Sequence, residues 1–118
     1  MSLKFPKEEK LKSRKLINEL FENGSSSKKF PIKMIYLEVT SLEKTQAAFA
    51  VPKRNFKLAI TRNRIKRQMR ESYRIHKSLL INNKGKNFAI LFMCLGKETP
   101  TFKQVDVAIS ALIKQLTL

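Results

Sequence analysis

Cysteine, histidine, aspartate and glycine are all scarce in these 118 residues, and each scarcity closes off a chemistry. The single cysteine, Cys94, allows neither an intrachain disulfide nor a cysteine-based zinc site, and it fits a reduced cytoplasm. It ends the apolar run from Phe88, short enough for a buried strand, where cysteine behaves as a small hydrophobe rather than a nucleophile. The single histidine, His76, cannot supply the two titrating groups that acid–base cleavage of a phosphodiester needs. Asp106 is the only aspartate, and Glu8, Glu9, Glu19, Glu22 and Glu98 are scattered, so no carboxylate cluster for two-metal chemistry emerges. Gly24, Gly85 and Gly96 lie far apart, which excludes a phosphate-cradling glycine loop. No segment approaches the roughly 20 apolar residues of a membrane span, and the stretch from Met1 to Lys7 lacks the apolar core of a secretory signal. The chain is therefore expected to stay in the cytoplasm, to take no small-molecule substrate and no membrane partner, and by itself to bind rather than cut.

What is abundant is positive charge. Against 9 acidic residues stand 25 Lys and Arg, a formal charge of +16 that repels itself unless an extended polyanion is the usual partner. Nucleic acid suits this better than an anionic membrane, which wants large apolar residues free to insert. The cations concentrate between Thr61 and Arg74. Turned by about 100° per residue, Ile65, Met69, Tyr73, His76 and Leu80 form one apolar stripe, while Lys66, Arg67, Arg70, Arg74 and Lys77 fall beside it within an arc of roughly 100°. One helix thus offers a core side and a phosphate side. Its start is uncomfortable: Thr61 is a plausible N-cap, but the capping-box position three residues on is Arg64, and Arg62, Arg64 and Lys66 sit near the positive end of the helix dipole. An anion at that end relieves the misfit. A solvated charged face is the ordinary alternative, but Glu71 is the only acid nearby.

The chain is expected to form one domain, 1–118. Periodicity predicts a helix from Lys7 to Glu22 stopped by Asn23-Gly24, then a polar, mobile loop at Ser25–Lys29. Strands follow from Phe30 to Thr40 and from Gln46 to Val51, the second ended by Pro52. The basic helix runs to about Leu80 and gives way at Asn82-Asn83-Lys84-Gly85. Phe88 to Cys94 is a strand, and Phe102, Val105, Ile109, Leu112, Ile113 and Leu116 mark a closing amphipathic helix. The result is an α+β domain of order α-β-β-α-β-α, with helices packed on one face of a small sheet and the other face partly open.

The residues Arg62-Asn63-Arg64-Ile65-Lys66-Arg67, followed by Arg70-Glu71 and Arg74, resemble the signature of the bacterial ribonuclease P protein component. The upstream pair Lys53-Arg54 strengthens the likeness, as does the stretch from Leu11 through Leu20-Phe21 to Gly24. The resemblance covers roughly residues 3 to 95. It implies a small mixed sheet in an α-β-β-β-α-β-α topology with a left-handed β-α-β crossover, like the second domain of a ribosomal protein of the small subunit. It implies a monomer in the free state that partners a catalytic RNA and precursor transfer RNA. In that family the RNA removes the 5′ leader using magnesium ions (Mg2+), held mainly by RNA partner and substrate, and the protein alone is inactive.

Carried over residue by residue, the resemblance assigns RNA binding to Lys53, Arg54, Lys57, Arg62, Asn63, Arg64, Lys66, Arg67, Arg70 and Arg74. It assigns the leader cleft to Lys12, Phe21 and Tyr36, where a base stacked on a ring gains about 1–3 kcal/mol. The same residues have plainer readings: Asn63 as a local helix-start hydrogen bond, Phe21 and Phe30 as core. Three departures from the family pattern stand out. Ile17 occupies the place of a second cleft aromatic, Asn55-Phe56-Lys57-Leu58 fills a loop where a shorter glycine-containing segment is expected, and the chain stops soon after the last helix without a basic tail. The rival reading is a structural ribosomal or ribosome-assembly protein, which shares the charge and size and lacks only the motif. A DNA-binding regulator needs base-reading side chains that are not evident here.

Overall fold

A computed structural model describes residues 9–81 and 86–116. The elements run α1 (Arg14–Asn23), β1 (Ser25–Lys29), β2 (Ile32–Glu38), β3 (Gln46–Ala50), α2 (Ala59–His76), the single turn α3 (Ser78–Ile81), β4 (Phe88–Cys94) and α4 (Phe102–Leu116). The sheet order is β1-β2-β4-β3. β1 and β4 both run antiparallel to β2, whereas β3 lies parallel to β4 with α2 in the connection between them.

Side-chain parity along the strands builds two cores. Ile32 and Met34 of β2 and Phe88, Ile90, Phe92 and Cys94 of β4 face Ile65, Met69 and Tyr73 of α2 and Val105, Ile109, Leu112 and Ile113 of α4. Phe49, Phe92 and Tyr73 meet there at centroid separations of 5.9, 5.7 and 5.7 Å, which fixes the roll of α2 against the sheet. The alternate residues Ile35, Ala89 and Leu91 pack with Leu11 and Leu20 on the other side, where α1 lies. Helices therefore cover both faces, not one as periodicity suggested. A wheel reports that a helix has an apolar stripe, but not which side of a sheet receives it. The α1 side keeps half-buried Ala48, Ala50 and Met93 around its small core.

Four further expectations shift. The serine-lysine stretch is not a loop but β1, paired with β2 from Ser25↔Tyr36 to Lys29↔Ile32. Its partner strand, not its own propensity, makes it a strand, and polar residues suit a sheet edge. The first helix begins at Arg14, with the Leu16 N–H donating to Ser13 Oγ at 3.3 Å. Upstream of it, the Leu11 N–H donates to the Ala47 carbonyl at 2.9 Å, so this segment extends the sheet beside β3; Lys7 and Glu8 lie outside the described residues. The second strand starts at Ile32, leaving Phe30 in the β1–β2 turn, 71% exposed, against Gly96, whose φ of +85° suits glycine. Finally α2 ends at His76, and the continuation to Ile81 is a separate turn after Lys77. The expected stop at Asn82–Gly85 lies outside the described residues.

Candidate nucleic-acid interface

Burial of Ile65, Met69, Ser72 and Tyr73 sets one side of α2 inward at helical spacing. The Ser72 hydroxyl donates to Asp106 Oδ1 at 2.7 Å, and His76 Nε2 lies 3.0 Å from the same oxygen, so α4 holds α2 at two successive turns. His76 is half-buried in this tie. Burial also pushes the Tyr73 hydroxyl above its ordinary range, with Glu9 adding to the shift, and it raises the Cys94 thiol to about 11. Both belong to the core.

With the helix roll fixed, Asn63, Arg64, Arg67 and Arg70 are exposed, and Lys66 is half-buried beside them. Lys53, Arg54 and Lys57 are exposed on the loop that enters the helix. Arg74 is half-buried and bound to Glu71 one turn before it. Lys10 joins this surface from the segment alongside β3: with Arg67, Arg70, Glu71 and Arg74 it lines a concavity of about 230 Å3. Sequence reasoning missed Lys10, because only the pairing of its segment with β3 brings it to α2. No spacing along the chain signals that approach.

Two of the cations expected to face RNA are used by the fold instead. Arg62 turns back, and its Nη1 donates to the Phe56 carbonyl at 2.8 Å and the Lys57 carbonyl at 2.9 Å. It staples the entry loop and so positions its neighbours. Thr61 is no cap, because α2 begins two residues earlier with Leu58 at the N-cap and no side-chain oxygen bound there. Lys77 is buried and donates to Glu9 Oε1 at 2.9 Å. The cavity of about 500 Å3 around that pair carries mixed charge, Glu9 and Glu43 with Lys44, Lys77 and Lys86, and does not continue the cationic face.

The leader-cleft residues divide. Phe21 is 59% exposed on α1, which overturns the core reading, and Lys12 is exposed just before the helix. Tyr36 is half-buried against Phe88, edge to face at 6.3 Å, on the side of the sheet covered by α2 and α4. It therefore lies across the sheet from the core that holds α1, and its neighbour Ile35 takes the α1 side. One residue of register separates the two outcomes.

Among the described residues no group of three His, Cys, Asp or Glu side chains could hold a metal ion, and no helix is long and apolar enough to cross a membrane. Glu9, Glu71 and Asp106 are each engaged by a neighbouring side chain. What the surface offers is an array of cations, carried on a helix packed against the core, suited to phosphate oxygens.

The family model described as Ribonuclease P matches residues 5–117. The ribonuclease P protein component of Chlorobium phaeobacteroides is 34% identical, over 95% of this chain and 87% of that protein. The ribonuclease P protein component of Porphyromonas gingivalis is 32% identical, over 86% and 78%. Among solved structures, the RNase P protein from Thermotoga maritima superposes with a TM-score of 0.75 at 22% identity, covering 91% of this chain and 96% of that one. The Staphylococcus aureus RNase P protein gives 0.73 at 19% identity, covering 91% and 94%.

Proposed function

The chain belongs to the ribonuclease P protein component family, the RNA-binding subunit of an endoribonuclease, and from that premise we propose how it works: α2 and its entry loop grip a catalytic RNA, and the α1 side receives the 5′ leader of precursor transfer RNA. The observation that carries this reading is the display on α2: Arg64, Arg67 and Arg70 face solvent on a helix locked to the core by Ile65, Met69 and Tyr73. A helix already packed on the core meets backbone phosphates without first losing helix freedom, and each contact releases condensed counterions. Lys53, Arg54 and Lys57 extend the contact along the entry loop, and Lys10, Arg67 and Arg70 bring charge to a recess that the Arg74–Glu71 pair also lines. On the other side, Phe21 offers an exposed ring for a leader base and Lys12 a charge for its phosphate.

Cleavage belongs to the RNA in this reading. Magnesium in this reading is held mainly by the RNA partner and the substrate. The protein works in the cytoplasm as a monomer that adds affinity for precursor and for the metal ions the RNA requires.

The test is cleavage of precursor transfer RNA at low magnesium by the cognate catalytic RNA alone, the protein alone, and both together. Correct 5′ processing by the mixture, well above that by RNA alone, is the expected result; cleavage by the protein alone, or no stimulation by folded protein, sinks the proposal. Phe21→Ala should leave the melting temperature within a degree or so, because the ring is mostly exposed. It should narrow the affinity gap between precursor and mature transfer RNA, and an unchanged gap removes Phe21 from the cleft.

A further inference from the structure

The entrance to α2 is built unlike a helix start meant to face water. Its N-cap is Leu58, which has no oxygen to satisfy a first-turn N–H, and no acidic residue sits in the first turn. Leu58 is 70% exposed and Ile60 84%. A lone exposed aliphatic is ordinary on a protein surface, but here two lie within three residues on backbone that the fold immobilises. Phe56, just before them, is buried in the larger core, and the Arg62 guanidinium just after them donates to the carbonyls of Phe56 and Lys57. The loop thus presents its aliphatic side chains from a fixed base.

Their surroundings select the partner. Lys53, Arg54, Lys57 and Arg64, all exposed, flank the pair along the chain. An apolar contact rimmed by cations complements a molecule whose backbone is anionic and whose exposed faces are flat and apolar, which describes unpaired nucleotides. We propose that Leu58 and Ile60 pack against the faces of unpaired bases in the catalytic RNA, supplying affinity that does not depend on charge. The inference rests on the reading of α2 as the RNA-binding face. The occupant is the catalytic RNA rather than the leader, because the pair continues the loop and helix that carry Lys57 and Arg64, whereas α1 packs across the sheet.

Salt separates this contact from the cationic ones. Apolar packing releases no counterions, whereas each lost phosphate contact makes the dependence of log K on log salt shallower by about 0.9. Binding of the full-length protein to the cognate catalytic RNA, without substrate, is measured across a range of monovalent salt for the parent, the double variant Leu58→Ser/Ile60→Ser, and Arg64→Ala. The double variant should bind roughly tenfold more weakly at every salt concentration with the parent's slope, as expected for two aliphatic groups losing their contact. Leu58→Ser alone guards against a folding artefact: serine is the better N-cap, so its melting temperature should rise while its affinity falls about threefold. A double variant that binds within about twofold of the parent, or whose loss comes with a shallower slope, overturns the proposal. If Arg64→Ala also leaves the slope unchanged, the RNA-binding face itself has been misassigned, and the proposal falls with it.

Discussion

At the C-terminal end of α2, Arg74 is tied to Glu71, His76 to Asp106 and Lys77 to Glu9. At the N-terminal end, Arg64 and Lys57 face solvent, no acid occupies the first turn, and the one turned-back cation, Arg62, is bound to backbone carbonyls. The same residue types thus serve the fold at one end and remain available at the other. Counting lysines and arginines overstates an interface, because partners distant in sequence decide which charges the fold uses. The difference also has an electrostatic sense. Cations at a helix C-terminus gain from the dipole, whereas those at the N-terminus lose by it until an anion arrives.

Removing charges in turn tests that contrast. The largest loss of stability should follow Lys77→Ala, which strands the Glu9 carboxylate in a mostly buried site: about 3 kcal/mol, read from urea unfolding. A change below about 0.5 kcal/mol would mean that the pair is solvated and the two ends are alike. Next comes Arg62→Ala, which frees the Phe56 and Lys57 carbonyls and should cost about 1–2 kcal/mol together with some RNA affinity. If affinity falls with no loss of stability, Arg62 contacts RNA and is not a staple. Smallest of all, Arg64→Ala and Lys66→Ala should change stability by no more than about 0.5 kcal/mol. Their effect should show in the salt dependence of RNA binding, shallower by about 0.9 for each lost phosphate contact. Loss of folding in either variant would erase the distinction between the ends.

Most of what depended on local period was legible before the structure, although the first helix starts only at Arg14 and Phe102 of the closing helix is exposed. Ile65, Met69, Tyr73 and Leu80 of the predicted stripe are buried, as are Val105, Ile109, Leu112, Ile113 and Leu116 of the closing helix and the whole run from Phe88 to Phe92. What depended on a distant partner was not. β1 is a strand because β2 pairs with it, Lys10 reaches α2 because its segment pairs with β3, and Arg62 finds carbonyls of a loop whose path the spacing does not define. Tyr36 shows how little separates the two cases: its aromatic character was evident, but the sheet face it takes depends on the parity of a register set by β4. The resemblance to a family supplied the third strand before the central sheet crossover, which residue pattern alone reads as a loop.

The placement of α2 between two strands that pair with each other also bears on how the chain finds its fold. β1 and β2 are joined by a tight turn and form a local hairpin, whereas β3 meets β4 only after the whole of α2 has been gathered in. Closing so long a connection costs entropy before its contacts can offset it, so the β3–β4 ladder should be a late event and the hairpin an early one. Pulse-labelled hydrogen exchange during refolding should protect the β1–β2 amides first; simultaneous protection of both ladders would refute this order. The helix that carries the cations is thereby enclosed between β3 and β4, and the chain sets its binding face only as β4 joins the sheet.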